Sequence, residues 1–126
     1  IQCGKCVEMC PGSAILGNFK INPFRCKSYI TQKKVELSTR DEEILKKSCL
    51  VFGCDICQDV CPHNKKVELT NMKEFKENIK TCIEHDEIAH VSNKEFMRRY
   101  RERAFSWRGR KVILRNFEVI KKQQSI

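Results

Sequence analysis

Cys3-Gly4-Lys5-Cys6-Val7-Glu8-Met9-Cys10-Pro11 and Cys54-Asp55-Ile56-Cys57-Gln58-Asp59-Val60-Cys61-Pro62 are one pattern written twice, C-x2-C-x3-C-P. Such a run wraps backbone around an iron–sulfur cubane. Its thiolates reach neighbouring irons, the proline ends the loop, and in two-cluster ferredoxins the cysteine before the proline ligates the other cluster. Two copies therefore predict two [4Fe–4S] clusters whose motifs exchange their last ligands. Spacing assigns Cys3, Cys6 and Cys61 to a first cluster and Cys10, Cys54 and Cys57 to a second. Each set is one thiolate short.

Cys26, in Phe24-Arg25-Cys26, stands alone outside any apolar stripe and is the natural fourth ligand of the second cluster. The fourth ligand of the first falls one position before Ile1. A bacterial motif reads C-x2-C-x2-C-x3-C-P, and Ile1-Gln2-Cys3-Gly4-Lys5-Cys6 reads as that motif with its first cysteine removed. The chain opens inside a motif and without Met, so the expectation is a piece of a longer protein.

Other uses of the cysteines compete with this one. Two CxxC pairs, Cys3/Cys6 and Cys54/Cys57, could form the S4 site of a zinc ribbon, but that would leave Cys10, Cys26 and Cys61 idle and the repeated Cys-Pro without a role. A secreted disulfide framework fits poorly with an odd count of nine cysteines, CxxC pairs beside prolines and no signal peptide. Cys49, in Cys49-Leu50-Val51-Phe52, and Cys82 read as buried structural thiols. His63, His85 and His90 read as capping or surface residues.

At 126 residues the chain can bury one modest core. No apolar run reaches the roughly 20 residues that span a bilayer, so a soluble protein is expected. The net charge is +9, and Lys94 to Lys122 carry most of it, with eleven Lys and Arg against Glu95, Glu102 and Glu118.

Away from the cysteines the first half is punctuated by Gly and Pro, with brief strands expected at Ala14-Ile15 and Lys20-Ile21-Asn22. Ser38 and Thr39 followed by Asp41 and Glu42 have capping-box spacing and predict a short helix over Ile44 and Leu45. Later the apolar period becomes 3.6. Asn71 as N-cap with Phe75, Ile79, Cys82 and Ile83 on one stripe predicts an amphipathic helix. Ser92 with Glu95 opens another over Phe96, Met97, Tyr100 and Ala104, and Gly109 precedes a third carrying Ile113, Phe117 and Ile120. The fold class expected is α+β, a dicluster ferredoxin-like domain over residues 1–66 followed by an α-helical C-terminal extension over 67–126.

Gly53-Cys54-Asp55-Ile56-Cys57-Gln58-Asp59-Val60-Cys61-Pro62-His63-Asn64 resembles the second cluster motif of the epoxyqueuosine reductases, corrinoid enzymes of queuosine biosynthesis, which reads G-C-D-x-C-Q-x-V-C-P-W-N. Arg25-Cys26-Lys27-Ser28-Tyr29-Ile30-Thr31 resembles the family's R-C-I-S-Y-L-T, and Leu114-Arg115-Asn116 its late L-R-N. The likeness runs from Ile1 to about Ile120. His63 stands where the family usually has Trp, and Gly12-Ser13-Ala14-Ile15 where it has G-A-I. Neither departure touches a ligand.

The resemblance implies that Cys26 ligates the second cluster. It implies a cobalamin and a catalytic acid in an upstream domain absent here, so no catalytic residue is assigned in this chain. It implies reduction of epoxyqueuosine in a tRNA anticodon, with the two clusters passing electrons toward the cobalt and this piece alone performing electron transfer only. The implied setting is a cytoplasmic monomer, away from membranes, served by a small-protein electron donor. A basic helical end suits tRNA, because Lys and Arg neutralise phosphates without regard to sequence. Arg98, Arg101, Arg108, Arg110 and Arg115 are the candidates, a solvated basic face being the plain alternative. Reductive dehalogenases share the corrinoid-plus-two-clusters plan, so motifs alone leave that chemistry open. A stand-alone dicluster ferredoxin is the other alternative, which the basic charge and the helical tail disfavour.

Overall fold

The computed structural model describes residues 3–122. Ile1 and Gln2, which open the shortened first motif, lie outside the described residues. The chain is mostly helical, with one small sheet. The repeat seen in sequence returns in the backbone: α1 (Lys5–Glu8) and α4 (Ile56–Asp59) are single helical turns in the same register within their motifs, and they pack against each other.

Between them lie an antiparallel hairpin, β1 (Ile15–Gly17) with β2 (Lys20–Ile21), a 3₁₀ turn over Pro23–Arg25, α2 (Lys27–Ile30) and α3 (Thr39–Lys46). Both expected strands are present. The start of α3 is the predicted capping box: Ser38 Oγ accepts the Asp41 N–H at 3.2 Å, and Asp41 Oδ2 accepts the Ser38 N–H at 3.4 Å. Asp41 is held further by Lys33 Nζ at 2.7 Å.

The later half contains α5 (His85–Ala89), α6 (Asn93–Tyr100), a 3₁₀ turn over Ala104–Arg108, and α7 (Arg110–Lys121). Ser92 caps α6 by accepting the Glu95 N–H at 3.1 Å. The Glu95 carboxylate does not complete a capping box; it turns outward to Arg98 and Arg99, which donate at 2.6–2.8 Å. The two guanidinium groups pull its pKa down to about 2.

Apolar burial joins the two halves through α7. Its Val119 and Ile120 pack with Ile30, Ile44 and Leu45, while its Ile113 packs with Ile88, Phe96 and Tyr100. Each fully buried side chain of this size contributes about 1.5–3 kcal/mol, so α7 is the element on which both cores depend.

Two expectations are corrected here. The amphipathic helix over Asn71 to Ile83 does not form. Only a 3₁₀ turn over Lys73–Phe75 appears, and Asn78 takes a left-handed φ of 53°. Phe75 and Ile79 remain exposed, and a short helix is marginal unless tertiary packing buries its stripe. The second correction concerns Cys49 and Cys82, which are exposed rather than buried. Cys82 Sγ donates to Glu84 Oε1 at 3.2 Å, so its thiol is raised, first by that carboxylate.

Candidate metal centre

Cys10 follows α1, and its Sγ accepts the Ala14 N–H at 3.2 Å. Cys26 ends the Pro23–Arg25 turn and stands as N-cap of α2. The segments bearing these two cysteines touch: Arg25 Nε donates to the Gly12 carbonyl at 3.0 Å. A Cβ built on Gly12 would lie 1.7 Å from the Arg25 carbonyl oxygen. Only a glycine lets the backbones approach so closely.

The second motif is brought to the same place by the three residues that lead into it. The Val51 carbonyl accepts Asn116 Nδ2 at 2.8 Å. The Phe52 ring meets Phe105 edge-on at 6.5 Å. Gly53, at φ 72°, donates its N–H to Thr31 Oγ1 at 3.0 Å, so the entry to Cys54 is fastened to the end of the helix that begins at Cys26. Burial raises the Cys54 thiol, the Ile56 N–H and Lys27 act to lower it, and Cys26 and Cys57 lie near enough to act on it as charges. Gln58 Nε2 reaches Cys57 Sγ at 3.8 Å.

N–H groups aimed at sulfur favour the thiolate, which is the form that binds metal. Half-buried thiols on segments that these bonds tie together are the donor type that an iron–sulfur group takes, and Cys10, Cys26, Cys54 and Cys57 are of that kind. Of the other set, Cys3 is exposed, Cys6 sits half-buried on α1, and Cys61 half-buried as N-cap of the Pro62–Asn64 turn. Among the described residues no three His, Cys, Asp or Glu side chains close on a single ion position. A cubane does not require it, because each thiolate binds a different iron.

Sequence reasoning passed over Lys27. It is 1% exposed, and its Nζ donates to the Leu45 carbonyl at 2.6 Å and to the Ser48 carbonyl and Oγ at 2.8 and 2.7 Å. Burial lowers its pKa to about 8, against the raising influence of Cys54 and Cys49. Nothing in Arg-Cys-Lys-Ser distinguishes this lysine from a surface one. Cys49 and Cys82 share the wall of a cavity of about 340 Å³ with Phe52, Phe105 and Phe117.

The basic candidates divide. Arg98 and Arg101 are exposed, beside Glu95 and Glu102, and the Arg108 guanidinium stacks 3.6 Å from the centre of the Trp107 ring. Arg110 Nη1 instead donates to the Ile88 and Ala89 carbonyls, both at 3.0 Å. Arg115 Nη1 donates to the Lys33 and Val35 carbonyls at 2.9 Å. Those two tie loops and helix ends together.

Residues 1–64 match the family described as the 4Fe-4S double cluster binding domain. The chain is 37% identical over 120 residues to the epoxyqueuosine reductase of Listeria monocytogenes serovar 1/2a, covering 94% of this chain and 31% of that protein. It is 38% identical over 116 residues to that of Lactococcus garvieae, covering 91% and 32%. Among solved structures, an epoxyqueuosine reductase with a tRNA-Tyr epoxyqueuosine-modified stem loop superposes with a TM-score of 0.82 at 32% identity, over 94% of this chain and 32% of that one. The Streptococcus thermophilus epoxyqueuosine reductase superposes with a TM-score of 0.79 at 28% identity, over 99% and 32%. The chain spans about a third of the length of the curated relatives it matches.

Proposed function

The chain belongs to the 4Fe-4S double cluster binding domain family and its homologues are epoxyqueuosine reductases, and from that premise we propose that it is the iron–sulfur portion of an epoxyqueuosine reductase-like oxidoreductase. Cys3, Cys6 and Cys61, with a thiolate from outside the chain, hold the first [4Fe–4S] cluster; Cys10, Cys26, Cys54 and Cys57 hold the second. The clusters supply one-electron transfer when bound, and in the complete enzyme the electrons serve a cobalamin outside this chain at which epoxyqueuosine in tRNA is reduced.

What supports this reading is that the segments bearing Cys10, Cys26 and Cys54 are tied to one another by the Arg25–Gly12 and Gly53–Thr31 bonds. This chain's own residues do three things. They fix the thiolates, donate N–H groups to sulfur, and hold the cysteines of the second site half-buried. Residues 1–66 act as the cluster-bearing unit and 67–126 as a helical extension whose last helix packs into it. Arg98, Arg101 and Arg108 form the face offered to tRNA phosphates, while Arg110 and Arg115 hold the fold that presents them. A small electron-carrier protein supplies the electrons, and the enzyme works as a monomer in the cytoplasm.

The test is cross-ligation. Cys10→Ser in the anaerobically prepared complete enzyme is expected to alter the cluster held by Cys26, Cys54 and Cys57, and Cys61→Ser the one held by Cys3 and Cys6, each seen as loss of one of two paramagnetic signals after reduction. Iron content of about eight per chain is expected before substitution. Stoichiometric zinc, or a Cys49→Ser variant losing a cluster that Cys26→Ser keeps, would overturn the assignment.

A further inference from the structure

Lys27 is a fully buried charged side chain in the cluster-bearing half whose purpose the electron-transfer reading leaves open. It follows Cys26 directly, and Thr31 at the other end of the same helix holds the Gly53 N–H beside Cys54 at 3.0 Å. Its three hydrogen bonds, to the Leu45 carbonyl and to the Ser48 carbonyl and hydroxyl, match the three N–H groups of an ammonium. All three partners are neutral. The carboxylate of α3's capping box, Asp41, is bonded to Lys33 instead. A buried cation is costly unless an anion lies near it. An all-thiolate iron–sulfur cluster is an anion and becomes more negative on reduction.

We propose that Lys27 is the counter-ion of the Cys10, Cys26, Cys54 and Cys57 site and raises its reduction potential above that of the Cys3, Cys6 and Cys61 site, so that an electron entering the chain rests at the second site. The proposal rests on the ligand sets given under Proposed function. Its physical basis is that net charge and hydrogen bonding around a cluster set its potential, and that a fixed charge acts strongly where water is excluded. The carbonyls of Leu45 in α3 and of Ser48 just beyond it hold the ammonium in place, so the charge needs no rearrangement when the electron arrives. Reduction adds one electron from the donor and makes or breaks no bond.

The experiment is a redox titration of the complete, doubly clustered enzyme against mediators, followed by electron paramagnetic resonance. Lys27→Gln keeps N–H donors for the carbonyls without the charge, and Lys27→Met removes both. At the native midpoint, the reduced-to-oxidised ratio of the second cluster is expected to fall at least tenfold in both variants, which is 59 mV for a one-electron couple, while the first cluster moves less. Lys27→Arg keeps the charge and is expected to hold the ratio within threefold. An unchanged ratio in a Lys27→Gln enzyme of full iron content overturns the proposal and leaves Lys27 a purely structural tie.

Should both neutral variants fail to load iron, the native protein decides the question. Cys26→Ser marks the second cluster by changing its signal, and that signal is expected to belong to the higher-potential titration step. If it belongs to the lower, the proposal is overturned. A native enzyme holding about four irons or fewer overturns the ligand sets themselves, an outcome distinct from a failure of the charge argument.

Discussion

Replacing Asn116 by Leu should loosen the cluster-bearing half from a position on the last helix, far from it in sequence. The Asn116 side chain is fully buried. Its Nδ2 donates to the Thr31 and Val51 carbonyls, both at 2.8 Å, and its Oδ1 accepts from Arg115 at 2.9 and 3.2 Å. Leucine fills a similar volume but donates nothing, so two carbonyls lose their partner. Each buried unpaired group costs about 1–3 kcal/mol, or about 2–6 kcal/mol for the pair. The apolar side chain recovers at most about 2 kcal/mol. The difference is a net loss of about 0–4 kcal/mol with a centre of about 2 kcal/mol, which is large against a domain stability of about 5–15 kcal/mol.

With a urea slope near 2 kcal/mol/M, the unfolding midpoint followed by circular dichroism should fall by about 1 M. Because Val51 leads directly into Gly53 and Cys54, iron bound to the second site should be released at lower urea than in the native protein. Asn116→Asp sets an oxygen against two carbonyl oxygens and should be worse still. An Asn116→Leu variant whose midpoint moved by less than about 0.25 M, with the slope unchanged, would refute the view that this amide clamps the two halves.

Gly12→Ala places a methyl 1.7 Å from the Arg25 carbonyl, so the Cys10 and Cys26 segments must part, and iron per chain should fall from about eight to about four with the second signal lost. Asp41 is pushed up by burial but pulled down more by its Lys33 hydrogen bond and charge and by Ser38. Its folded pKa lies below the unfolded value, so its contribution to stability is present above about pH 4 and lost as pH falls through the folded pKa. Urea midpoints of the native protein should therefore drop below pH 4 more steeply than those of Asp41→Asn. Charge reversal at Arg98 and Arg101 should weaken tRNA binding by the complete enzyme and flatten its salt dependence, each phosphate contact contributing about 0.7–0.9 to the slope. Arg115→Met should instead lower thermal stability, since its partners are the Lys33 and Val35 carbonyls; equal affinity after both reversals would leave a solvated face.

What was legible in the sequence was local. The two C-x2-C-x3-C-P runs appear as matching single turns because the spacing of cysteines about one helical turn is carried by a few covalently linked residues. The Ser38 box and the Ser92 cap are readable for the same reason, since a capping hydroxyl and the N–H it accepts are three residues apart, and the helix after Gly109 is readable from the period of its apolar residues. The helix over Asn71 to Ile83 had the right period and did not form, since periodicity states what a helix could bury and not whether anything lies against it.

What the tertiary structure alone decided are the meetings of distant segments. Arg115 reads as one of a run of basic residues, yet it bonds carbonyls 80 and 82 residues away. Lys27 stands out in no sequence pattern and is buried by the end of α3. Cys49 reads as a core thiol and is exposed. A side chain's period and type follow from its neighbours in the chain, but its burial and partners follow from which backbone carbonyls the fold leaves unpaired near it. Those carbonyls belong to every residue alike, so the sequence around Lys27, Arg115 and Asn116 holds no mark of them.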